Sequence, residues 1–82
     1  MVKSNRFTLT EERLDGTIIR RYQDILPSEV ERILSVAAPD ASLSGTGRVV
    51  DFMIDTLIAG GAPSILIEWG GKLFRVEEYQ QW

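Results

Sequence analysis

Asp51 and Asp55 stand four residues apart in "GRVVDFMIDTLIA". On a helix that spacing puts their Cβ atoms about 5–6 Å apart on one face, where the two charges repel. Paired carboxylates can serve as the acid and base of a glycosidase, as ligands for a hard metal ion, or as a socket for an arginine or lysine. No third acid lies nearby in sequence, so the simplest reading is a solvated stripe. The favoured functional reading is a socket for a cation, carried either by a partner or by the chain's own Arg20-Arg21.

The stretch just before, "SLSGTGRVVDFM", raises a second chemistry. Glycines in front of an apolar run can aim backbone N–H groups at a phosphate. Gly45 and Gly47 match two glycines of the dinucleotide fingerprint, but Val50 occupies the third place and no Walker lysine-hydroxyl pair follows. A helix entrance explains the stretch without a ligand: Thr46 or Ser44 caps a helix over 47–59, and the glycines let the loop turn. If an anion does bind here, Gly45, Thr46, Gly47 and Arg48 would hold it.

Other chemistries are excluded by composition. The chain has no cysteine and no histidine. This removes disulfides, thiolate nucleophiles, zinc-thiolate sites, Ser-His activation and imidazole ligation. Neither a cofactor nor a metal is implied, and the expectation is a protein that is not an enzyme. The start, "MVKSNRF", shows no apolar signal-peptide core, and no apolar run is long enough to span a bilayer. A cytoplasmic setting fits.

The elements that position these residues can be read from periodicity. The segment "SILIEWGGKLFRVEE" is a hairpin whose Gly70-Gly71 turn supplies the positive φ of a primed turn. Counting outward pairs Trp69 with Lys72, Ile67 with Phe74 and Ile65 with Val76 on a core face. Glu68 with Leu73 and Leu66 with Arg75 fall on the other face. Residues 28–37 read as an amphipathic helix, with a Ser28–Glu31 capping box, Pro27 just outside, and Val30, Ile33, Leu34 and Ala37 as its apolar stripe. Pro39 stops it. Residues 47–59 read as a second helix, apolar nearly all round and therefore buried, ended by Gly60-Gly61.

In the N-terminal third, "FTLTEERLDGTIIRRY" suits a hairpin turning at Asp15-Gly16, with Phe7, Leu9, Ile18 and Tyr22 on one face and an Arg20–Glu11 pair among them. Leu14, Ile18, Tyr22 and Ile25 also fit helical spacing. The β-branched run Thr17-Ile18-Ile19 and the glycine favour strands. The expected fold is therefore α+β, ordered ββααββ, with a four-stranded antiparallel sheet carrying two helices on one face.

At 82 residues the chain is long enough for one domain with one core. Net charge is −3, unevenly spread. Residues 1–23 carry five basic and three acidic groups, and residues 24–82 carry four basic and nine acidic ones. Without a basic stripe, duplex nucleic acid is a poor partner, and a protein with a basic surface suits the charge better.

Two surfaces then stand out. Helices on one sheet face would leave Leu14, Ile19, Leu66 and Leu73 on the other, an apolar patch that a target protein or a second copy in a homodimer would cover; Arg21 and Arg75 stems could instead shield it. At the C-terminus, Tyr79 and Trp82 either pack back on the domain or anchor another chain, with Glu77 and Glu78 steering toward a basic surface. The expectation is a small acidic protein-binding module working by occlusion, of the kind phages and bacteria use as inhibitors or immunity-type accessory proteins. The alternative is a small-anion or nucleotide-binding domain at Gly45–Arg48.

Overall fold

A computed structural model describes residues 5–41 and 43–79. Six elements follow in chain order: β1 (Phe7–Glu12), β2 (Ile18–Ile25), α1 (Pro27–Ala37), α2 (Leu43–Ile58), β3 (Ile65–Trp69) and β4 (Lys72–Glu78). The strands form one antiparallel sheet in the order β2-β1-β4-β3, so the first and last strands of the chain pair at its centre. This is the expected ββααββ fold.

The β3–β4 hairpin has the register that its alternation dictates, from Ile65 opposite Val76 to Trp69 opposite Lys72. Gly70 and Gly71 take φ of 59° and 76°, which is why two glycines are needed in this two-residue turn. At Gly70 an added Cβ would also run into the Ala37 carbonyl, so the turn abuts the end of α1.

The β1–β2 hairpin turns at Asp15-Gly16 as expected. Asp15 Oδ1 accepts the Thr17 N–H at 2.8 Å, and Arg13 N–H donates to the Thr17 carbonyl at 2.9 Å. Its register is less regular. Glu11 does lie opposite Arg20, and Leu9 opposite Tyr22. One extra β2 residue lies between the Glu11 and Glu12 pairings, however, and another between those of Phe7 and Leu9. The first bulge sets Ile18 opposite Glu12 and leaves it exposed, so Ile18 does not share the core face with Phe7, Leu9 and Tyr22. At the second, Asp24 takes a positive φ of 58°, a conformation Asp tolerates better than most.

Both helices begin earlier than their caps suggest. In α1, Leu26 is the N-cap and Pro27 the first helical residue, a position where the missing N–H costs nothing. The Glu29 carboxylate, rather than Glu31, reaches back to the Leu26 N–H at 3.4 Å. In α2, the helix starts at Leu43 and takes in "SGTG". Its far end is as read: Gly60, at φ 76°, donates to the Leu57 carbonyl and Gly61 to that of Thr56, a Schellman closure.

The core lies between the helices and one sheet face. Phe7, Leu9, Phe74 and Val76 meet Val30 and Leu34 of α1 and Val50, Met53 and Leu57 of α2, all nearly fully buried. Helix α2 is less buried than its composition suggests, because Phe52 is 70% exposed.

Candidate functional site

Strand alternation assigns each sheet residue to the helix-covered face or the uncovered one. Phe7, Leu9 and Glu11 face the helices, so Thr8, Thr10 and Glu12 face away. Cross-strand pairing then builds the uncovered face in rows. One row runs Ile18, Glu12, Leu73, Glu68. The next runs Arg21, Thr10, Arg75, Leu66. The last sets Thr8 beside Glu77.

On this face the short threonines of the central strand sink between longer neighbours, Thr8 to 5% exposure and Thr10 to 4%. Arg75 stretches across the middle. Its Nε donates to Glu12 Oε2 at 2.7 Å and an Nη to Ser64 Oγ at 3.0 Å. Glu12 holds the Arg75 guanidinium pKa above its ordinary value. Leu66 and Ile18 remain 47% and 46% exposed on either side of that bridge, and Ile19 is exposed next to Ile18 in the chain. Leu73 is half-buried. With Leu14 and Ile19 it lines a depression of about 380 Å³ at the hairpin ends. The four aliphatics are therefore present at the surface, but Arg75 and Glu12 divide them.

The remaining expected partner-binding residues lie elsewhere. Asp51 and Asp55 are both exposed on the solvent side of α2, with the exposed Phe52 between them. That side is separated from the uncovered sheet face by the whole helix layer. Neither carboxylate meets Arg20 or Arg21; among the described residues the ion pairs are Arg75–Glu12 and Arg6–Asp24, the latter at 3.9 Å. Glu78 lies opposite Phe7, on the other face of β4 from Glu77. Tyr79 N–H donates to the Arg6 carbonyl at 3.0 Å, fixing that backbone beside β1. Trp82 lies outside the described residues.

Gly45, Thr46, Gly47 and Arg48 sit within α2, from its third residue to its sixth, and not in a loop ahead of it. The N–H groups of Gly47 and Arg48 are past the first turn, where an α-helix uses them for its own bonds. Thr46 is buried to 1% exposure. A Cβ at Gly47 would sit 3.5 Å from the Glu31 carboxylate of α1, so an incoming anion would meet a negative charge. The loop cradle that the anion alternative requires is replaced by helix packing.

A further concave site draws on four elements and could not be read from any one segment. Between α1 and the sheet lies a groove of about 280 Å³, with Glu11, Arg20, Tyr22, Arg32, Lys72 and Phe74 among its lining residues. Glu11 is only 9% exposed. Arg20, its cross-strand neighbour, has its pKa raised by the Tyr22 phenol and by Glu11. The Arg20–Glu11 pairing was the legible part, whereas Arg32 and Lys72 arrive through the packing of α1 and the β4 hairpin. Among the described residues no group of three or more acidic side chains converges as a metal site, and no helix is long and apolar enough to cross a membrane. Comparison with known protein families, with curated proteins and with solved structures finds no match to this chain.

Proposed function

We propose that the chain is a small, non-enzymatic protein-binding module whose contact surface is the uncovered face of the sheet. The observation that carries this reading is the one-sided packing of α1 and α2, which leaves Leu66, Ile18 and Ile19 each 43–47% exposed. Covering such side chains contributes roughly 25 cal/mol per Å² of apolar area. Glu68 and Glu77 on the same face have no basic partner among the described ion pairs, which favours a partner with lysines or arginines around an apolar centre. Binding would occlude a patch on a larger protein, as an inhibitor or immunity-type accessory protein does. A cytoplasmic setting belongs to the same proposal and is supported by the absence of cysteine.

A photo-crosslinking benzoylphenylalanine at position 66, expressed in the native host, tests the reading. One discrete adduct with another protein, lost when Ile18 and Leu73 are changed to aspartate in a chain that still folds, supports it. An adduct of twice the chain mass would make the partner a second copy. The same probe at position 52 reports on the α2 side, where Asp51, Phe52 and Asp55 could hold a basic side chain over the ring. An adduct at 52 with none at 66 overturns the sheet-face assignment.

A further inference from the structure

We infer that the groove between α1 and the sheet binds a small zwitterion, an α-amino acid with an apolar side chain. Three features of the groove point to that class.

The first is the Glu11 carboxylate. Glu11 is 9% exposed as a residue and lines the groove. No hydrogen bond or ion pair among the described residues closes on its carboxylate, and because no buried side-chain oxygen among them lacks a partner, its oxygens reach solvent. A carboxylate that water reaches and no protein donor holds is open to an ammonium group, which supplies both the charge and up to three N–H bonds. Arg20 stands across the ladder and supplies charge, but it is shared with the Tyr22 phenol.

The second is the surplus of positive charge. Once Arg20 is set against Glu11, Arg32 from α1 and Lys72 from β4 remain as two cations on the same groove. Neither takes part in an ion pair among the described residues. They suit a carboxylate, with the Arg32 guanidinium able to meet it in a bidentate fork. A ligand that is only a cation would be repelled by these two groups, and one that is only an anion would be repelled by Glu11.

The third is the wall between the charges. Ile33 and Val36 of α1 and Phe74 of β4 line the same space. At about 280 Å³ it falls just below the range of drug-sized sites, which suits a ligand the size of a free amino acid. This groove is on the helix side of the sheet, so its ligand would not compete with a protein docked on the uncovered face.

The experiment is a titration of the isotope-labelled full chain with L-phenylalanine, followed through backbone amide shifts. Saturable shifts at Glu11, Tyr22, Ile33 and Phe74 are expected. Phenylacetate, which lacks the ammonium, phenethylamine, which lacks the carboxylate, and glycine, which lacks the side chain, should each bind at least ten-fold more weakly. Glu11→Gln, matched in shape, should weaken L-phenylalanine at least ten-fold. Lys72→Gln, at an exposed position, should do likewise and carries the comparison if Glu11→Gln does not fold. The absence of saturable shifts with L-phenylalanine, shifts confined to the other sheet face, or phenylacetate binding as tightly as L-phenylalanine would each overturn the inference.

Discussion

The Trp69 indole N–H donates to the Leu34 carbonyl at 2.9 Å, tying the end of β3 to the last turn of α1. The same carbonyl accepts the Ala38 N–H at 3.1 Å. Helix α1 therefore closes on a side chain of the sheet as well as on its own backbone. Trp69→Phe keeps an aromatic ring but deletes the donor. Because Leu34 retains its bond from Ala38, the loss should stay near the ordinary worth of one hydrogen bond, about 1 kcal/mol. Urea unfolding followed by circular dichroism measures it; a loss well above 3 kcal/mol would mean that the ring's packing, and not the bond, is what matters.

Next in the chain, Gly70 and Gly71 separate two effects that usually travel together. Both have positive φ, 59° and 76°. Only at Gly70 would a Cβ strike backbone, at the Ala37 carbonyl, while Gly71 faces open space. Gly71→Ala should cost about 1–2 kcal/mol, the conformational term alone. Gly70→Ala should cost that much and a further 1–3 kcal/mol or so of steric displacement. Equal losses in the two variants would show that α1 does not press on the turn.

Adjacent residues of α2 should have opposite fates. Met53 is 1% exposed in the core and Phe52 is 70% exposed beside it. Met53→Ala should destabilise by about 2–5 kcal/mol. Phe52→Ser should stay within about 0.5 kcal/mol, the usual range for surface changes. A large loss at Phe52 would indicate that its ring is covered in solution, and that would strengthen the case for a partner on that side.

The contrast between Met53 and Phe52 also shows where sequence reading reaches its limit. An apolar helix states that much of it is buried but not which residue is left over, since that depends on how far the second layer extends. The β3–β4 register was legible to the residue, because strict alternation and a two-glycine turn leave no freedom. The β1–β2 register was legible only in part. Its Asp-Gly turn is a local signal, whereas the two extra residues on β2 answer to pairing with β1 and carry no local mark. The start of α2 was misplaced because Gly45 and Gly47 are poor helix formers; burial of Thr46 in the helix layer is a tertiary effect that overrides them. Leu66 and Leu73 of the uncovered face followed from alternation, whereas Ile18 comes to it through the bulge opposite Glu12. The groove at Glu11 did not follow from alternation, because its charges come from four separate elements.

On the uncovered face, the contact between Arg75 and Glu12 is open to direct measurement. The Glu12 side chain is 11% exposed and that of Arg75 37% exposed, so water screens one partner more than the other. A double-mutant cycle with Glu12→Gln and Arg75→Met should return a coupling of about 0.5–1 kcal/mol, near the value for surface pairs. The coupling should shrink as salt is raised from about 0.1 M to 1 M. A coupling that salt leaves unchanged would mean the pair is covered in solution, as a partner on this face would make it.

Acid should loosen the β1–β2 turn through a single carboxylate. Asp15 is held below its ordinary pKa of 3.8 by the Thr17 side chain first and the Thr17 backbone N–H second. A carboxylate whose folded pKa is depressed adds stability above its unfolded value and loses it as pH falls through the folded one. Asp15→Asn carries no titrating group, so the stability gap between wild type and this variant isolates the effect from the other acids. The gap should be constant above about pH 5 and close progressively on acidification below 3.8, because the turn bond then has a neutral acceptor in both proteins. Urea midpoints of the two proteins across that range measure the gap, and Asp15 carboxyl shifts by NMR locate the folded pKa. A gap that stays level through pH 3, or a carboxyl titrating at or above 3.8, would show that Thr17 does not hold the charged form.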